Sequence, residues 1–161
     1  MTRGCMLLCS VMVVLLSFSA IVAAEAAEGV SETNWGAGFG IPYGVLGVNV
    51  ESGAQTRLSV GVGTALVGLG WNVGVKHYLS DPPTEDTGSA SLCLYYGTNT
   101  ILGEKGWGVV DYDELAEGFT AGLGWTAGHF DIAMLWPLGV DIPEGYEEEG
   151  TPVKLSIGYR F

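Results

Sequence analysis

The stretch Pro152-Val153-Lys154-Leu155-Ser156-Ile157-Gly158-Tyr159-Arg160-Phe161 decides how the chain is read. Val153, Leu155, Ile157, Tyr159 and Phe161 are apolar or aromatic, and Lys154, Ser156, Gly158 and Arg160 between them are charged, polar or without a side chain. A period of two is the signature of a strand with one face in an apolar medium and the other in a wet one.

Working back from this tail, the same alternation appears seven more times. Trp35, Ala37, Phe39 and Ile41 alternate with Gly36, Gly38 and Gly40; Leu46, Val48 and Val50 alternate with Gly47, Asn49 and Glu51. Leu58, Val60, Val62 and Thr64 form the apolar side of a third segment, and Leu69, Trp71, Val73, Val75 and His77 that of a fourth. Ala90 to Tyr96, Phe119 to Trp125 and Phe130 to Trp136 complete the set, with the tail as the eighth. Glycine dominates the second face of several segments, and 26 of the 161 residues are glycine. A solvent-exposed strand is weakened by glycine. The interior of an eight-stranded barrel is narrow enough to need it. The segments therefore predict an all-β chain folded as one eight-stranded antiparallel barrel with its apolar face outward.

Composition narrows the reading further. The chain is 48% hydrophobic and 15% charged, with a net charge of −12. So acidic a chain offers no basic patch for nucleic acid. Arg3, an apolar run from Cys5 to Val22 and small residues at Ala23, Ala24, Ala26 and Ala27 predict a secretory signal peptide over residues 1–26, cleaved after Ala24 or Ala26, with the barrel domain at 27–161. Cleavage removes Cys5 and Cys9 and leaves Cys93 alone, so no intramolecular disulfide is expected.

Placing the start of the first strand in the periplasm puts Trp35, His77, Trp125, Phe130, Tyr159 and Phe161 at the lower ends of strands, and Trp71, Tyr96, Phe119 and Trp136 at the upper ends. Two aromatic belts are what a bilayer's two interfaces select. Asn99 to Gly118 and Gly139 to Thr151 are expected as long outer loops, acidic through Asp111, Asp113, Glu114, Glu117, Asp141, Glu144, Glu147, Glu148 and Glu149. Their spacing lacks the alternating oxygen ligands of a calcium loop, so a solvated acidic surface is expected and no metal site.

No catalytic constellation is expected. His77 and Ser80 are three apart and point to opposite faces of a strand, and His129 beside Asp131 has no evident nucleophile. Inside the lower end of the barrel, Glu51, Arg57, Lys76, Asp131 and Arg160 are expected to gather into an ion-pair network that closes the lumen, because buried charges are costly unless paired. Above it, Gly38, Gly61, Gly70 and Gly122 leave room for a wet cavity open outward.

The tail resembles the terminal strand by which the assembly machinery recognises bacterial outer-membrane barrels, with Leu155, Ile157, Tyr159 and Phe161 as the assembly signal. In architecture the mature chain resembles the OmpA transmembrane domain and OmpX-like proteins. That resemblance implies an outer-membrane protein without cofactors, a monomer whose partners are outer-membrane lipids and the assembly machinery, acting through surface loops or as a structural component. A narrow channel, a lipid deacylase and a soluble periplasmic ligand-binding barrel are the competing classes.

Replacing Phe161 by Asp tests the terminal signal. A charge near an interface costs only about 0–1 kcal/mol on the lipid face, so a large fall in folded outer-membrane protein, read on fractionated cells with secretion intact, marks lost recognition. Unchanged membrane levels refute the assignment.

Overall fold

The computed structural model describes residues 31–65, 68–104, 112–140, 146–148 and 153–161. The expected signal peptide lies outside them, as do Asp111, Asp141, Glu144 and Glu149 of the expected acidic loops.

Period-two segments become strands wherever the alternation was found. They are β1 (Glu32–Gly40), β2 (Val45–Gly53), β3 (Thr56–Ala65), β4 (Gly68–Tyr78), β5 (Gly88–Glu104), β6 (Tyr112–Ala127), β7 (Phe130–Val140), β8 (Tyr146–Glu148) and β9 (Lys154–Arg160). Eight of them pair antiparallel in the order β4-β3-β2-β1-β9-β7-β6-β5, and β5 pairs back onto β4, so the sheet closes into a barrel. Closure leaves no free edge around the ring, the standing hazard of an open sheet.

β1, β2, β3, β4 and β7 have 9, 9, 10, 11 and 11 residues, the length of a tilted strand that crosses a hydrocarbon layer. No helix among the described residues is long and apolar enough to cross a membrane, which leaves crossing by strands open. The lower end of the barrel, where β1 starts and β9 ends, has two-residue links from Gly53 to Thr56 and from Ala127 to Phe130.

The register sends the apolar side of each strand outward. Trp35, Phe39, Leu46, Val48, Val60, Val62, Leu92, Leu123, Ile132, Met134, Leu155 and Ile157 are exposed on the outer wall, while Asn49, Glu51, Arg57, Ser59, Asn72, Lys76, Ser91, Thr120, Thr126, Asp131 and Ser156 are buried inside it. The lower aromatics cluster across the seam of β7 and β9: Tyr159 stacks on His129 at 5.1 Å and meets Phe130 and Phe161 edge-on at 5.7 and 5.4 Å. Near the upper rim Trp71, Tyr96 and Phe119 form a ladder with centroid spacings of 6.0 and 4.9 Å.

Three expectations are corrected by the fold. Asn99 to Gly118 is mostly strand, because β5 and β6 run to 17 and 16 residues and keep pairing through two register shifts at Thr98/Thr100 and Leu102/Gly103. Beyond Gly97, the partner of Asn72 on β4 and of Gly118 on β6, β5 continues to Glu104, so the hairpin rises above the neighbouring rim. The second expected loop contains β8, which pairs Leu102↔Glu148, Gly103↔Glu147 and Glu104↔Tyr146 along the raised part of β5. Third, Ile41 does not extend the outward face of β1. Ile41–Tyr43 form a 3-10 turn, and Ile41, Pro42 and Tyr43 are all buried.

That turn is the unusual feature of the fold, since it folds down into the lumen. Gly61 faces the Pro42 carbonyl, Gly47 and Gly63 face the Tyr43 carbonyl, and Gly70 faces Gly44, each so closely that a Cβ would collide. Glycine on β2, β3 and β4 thus provides space for a second layer of backbone inside the ring. Gly61→Val should block this packing and lower the unfolding free energy from urea titration by an amount typical of core overpacking, about 1–3 kcal/mol.

Candidate functional site

The candidate site is the lumen, and its polar centre is Lys76. The β4 alternation turns Lys76 inward, and its side chain is wholly buried. Its Nζ lies 2.9 Å from Glu51 Oε1 on β2 and 2.8 Å from Asp131 Oδ2 on β7. One ammonium therefore ties two walls of the ring together. Asp131 is further held by the Thr126 hydroxyl, which donates to Oδ1 at 2.6 Å, and by the Tyr43 hydroxyl, which donates to Oδ2 at 3.5 Å. Asn49 Nδ2 donates to Glu51 Oε1 at 3.4 Å. Two carboxylates around one buried ammonium leave one negative charge over, and these donors spread it.

The other two expected members stand apart from this triad. Arg57 pairs across the hairpin with Gly53, while Glu51 pairs with Ser59. The register thus separates the two side chains that the short turn was expected to join. Arg57 Nη2 instead bonds Glu32 Oε2 at 3.2 Å, a carboxylate 70% exposed at the start of β1, and its Nε donates to the Ala54 carbonyl at 3.2 Å. Its guanidinium lies 5.3 Å from the centre of the Tyr78 ring. Arg160 is buried at the lower end of β9, and its Nε and Nη1 have no hydrogen-bond partner among the described residues. The five residues share one end of the lumen, but the ion pairs of the centre belong to Glu51, Lys76 and Asp131.

The upper lumen also differs from expectation. In place of a wet cavity above the charges sits the 3-10 turn. The Tyr43 ring lies against Gly36 and Gly38 of β1 and against Gly158 of β9, where a Cβ would collide with the Tyr43 hydroxyl and Cζ. Ile41 reaches across to Cys93, Tyr95, Ala133 and Leu135, forming one buried apolar cluster with the walls of β5 and β7. The Ile41 carbonyl accepts both the Gly44 N–H, at 3.1 Å, and Asn72 Nδ2, so this buried acceptor is fully paired. Sequence alone carried a signal for this: glycine crowds the inward faces of β1 to β4, while β5 carries Ser91, Cys93 and Tyr95. A lumen lined so unevenly has something bulky against its glycine side.

His77 and Ser80 have separate partners. His77 Nδ1 is 2.9 Å from the Thr56 hydroxyl, and Ser80 Oγ is 2.9 Å from Ser89 Oγ. His129 Nδ1 is 2.8 Å from the Arg160 carbonyl. Of the four tail residues expected as an assembly signal, Leu155, Ile157 and Tyr159 project outward from β9 and Phe161 follows it, its N–H donating to the Trp35 carbonyl at 2.9 Å. Compared with known proteins, the chain matches no family model, no curated protein and no solved structure.

Breaking a buried ion pair on one side leaves an uncompensated charge, at a cost of about 3–5 kcal/mol. Lys76→Met should therefore destabilise the folded barrel by that order in urea titrations. Combining it with Glu51→Gln and Asp131→Asn should recover most of the loss, since the carboxylates then carry no charge.

Proposed function

We propose that this protein is an outer-membrane β-barrel that crosses the bilayer with its eight strands, keeps its lumen closed, and acts as a structural or surface-interaction component through its raised hairpin and acidic upper segments. The observation that carries this reading is the inversion of the wall. Charged and polar side chains fill the interior, and valine, leucine, isoleucine and aromatic side chains cover the exterior. In water that arrangement leaves a continuous apolar surface far larger than soluble monomers tolerate. In a bilayer it is the low-energy one. A soluble ligand-binding barrel would place the aromatic face inside, and a channel would need a lumen without the inserted turn.

The surface role follows from what stands above the wall. The β5–β6 hairpin rises past the other strands, β8 pairs to its side, and the sequence there is rich in Asp and Glu. Trp71 Nε1 donates to Glu117 Oε1 at 2.8 Å near the upper aromatic ladder, the polar-tipped arrangement expected of a ring at an interface.

Val60 sits mid-way along β3 and is half exposed on the outer wall, which makes it a discriminating position. In a bilayer Val60→Arg should cost about 2–4 kcal/mol of folding stability, whereas at a water-exposed site a substitution usually stays within about 0.5 kcal/mol. Refolding into lipid vesicles measures the difference, and a neutral effect there rejects the membrane reading. Folded protein should also fractionate with the outer membrane and migrate faster on a gel before boiling than after. Planar bilayers should show no steady conductance, and a stable ion-selective current would replace the closed barrel by a channel.

A further inference from the structure

We propose that the Ile41–Tyr43 turn is a releasable plug: it seals the upper lumen when seated and opens a vestibule, floored by the Lys76 triad, when it withdraws. The proposal concerns the interior of the barrel and does not depend on the membrane reading.

Three observations carry it. The turn is bounded by two residues with positive φ, Gly40 at 117° and Gly44 at 62°, where glycine turns without steric cost. They serve as hinges. Immediately after the second hinge, Val45 adopts φ 86°. A β-branched residue in that region is a genuine outlier, and such backbone strain persists only when the surroundings impose it. Val45 pairs with Gly40 across the base of the turn, so its backbone is fixed there while the turn is seated. Finally, the hydroxyl at the tip of the plug, that of Tyr43, has a single hydrogen bond among the described residues, to Asp131, and it is long, at 3.5 Å. Asp131 retains its 2.8 Å bond to Lys76 and its 2.6 Å bond from Thr126 without it.

Withdrawal therefore removes Tyr43 and Ile41 from the lumen while the triad below stays paired. The space vacated is bounded by Gly36, Gly38 and Gly158 on one side and by Cys93, Tyr95 and Leu135 on the other. It is a dead-end vestibule, open above and shut below. Strained, hinged segments beside a cavity are the elements that two-state devices use.

Cys93 is a built-in reporter, since it is buried in the cluster that Ile41 caps. Its alkylation by a small water-soluble maleimide, followed on the folded protein by mass spectrometry of the peptide containing Cys93, reads the population of the withdrawn state. Wild-type protein should label slowly and measurably. In Gly158→Ala the new methyl overlaps the hydroxyl end of Tyr43, so labelling should accelerate about tenfold or more. Tyr43→Ala should accelerate it as well, and adding Gly158→Ala to Tyr43→Ala should change nothing further, because the displaced ring is already gone. Val45→Gly relieves the strain of the seated form at the first residue of β2, and should slow labelling about fivefold. The proposal is overturned if folded Gly158→Ala labels at the wild-type rate, if its effect persists in the Tyr43→Ala background, or if Val45→Gly leaves the rate unchanged. The valine variant also keeps the test decisive should Gly158→Ala fail to fold.

Discussion

One ammonium shared between two carboxylates fixes the interior of this barrel. Lys76 reaches Glu51 on β2 and Asp131 on β7 at 2.9 and 2.8 Å, so strands that are not neighbours in the ring are joined through its centre. A barrel wall is otherwise held only by ladders between adjacent strands, which resist pulling apart but not flattening. The triad adds a constraint across the diameter. Its cost is the desolvation of three charges, and that cost is tolerable because each carboxylate has further donors from Thr126, Tyr43 or Asn49.

Above the triad, the molecule fills its lumen with backbone where side chains would have sufficed. Eight strands enclose a space that ordinary side chains can fill, yet β1 to β4 present glycine. The exchange is of wall side chains for an inserted turn, with Pro42 and Tyr43 occupying what residues at Gly61, Gly47 and Gly63 would have taken. The two halves of the lumen are consequently of different kinds: one is backbone against backbone, the other is Ser91, Cys93, Tyr95, Thr120 and Leu135 packed as side chains.

The strand count and the outward face were legible because they rest on a repeated period of two, which a single aberrant residue cannot erase. The outward positions of Trp35, Trp125, Phe130 and Tyr159 follow from the same alternation. Ile41 misled for a local reason: it continues the Trp35-Ala37-Phe39 series by one more step, and periodicity gives no sign that the chain has turned. Gly40, Pro42 and Gly44 around it were the available sign. Arg57 misled through register, since chain proximity across a tight hairpin says nothing about which inward pair faces which; the ladder puts Gly53 opposite Arg57. The raised β5–β6 hairpin read as loop because its upper part breaks the period of two, with Ile101 and Leu102 adjacent and Leu115 beside Ala116, and two register shifts interrupt its pairing.

The ring's narrowest join is between β1 and β9, where only four residue pairs, from Gly36↔Arg160 to Phe39↔Ile157, hold the sheet together. The partners there are far apart in the chain, 117 positions for the Ser156 hydroxyl that donates to the Phe39 carbonyl. Contacts so distant in sequence are entropically the most expensive to form and form late. The Tyr43 ring lies across this join, on Gly36 and Gly38 of one strand and Gly158 of the other, and it can rest there only once both strands are in place. Seating of the aromatic ring therefore follows zipping of the wall, and the seated ring, resting on strands from both sides, braces the joint of the cylinder with the fewest paired residues.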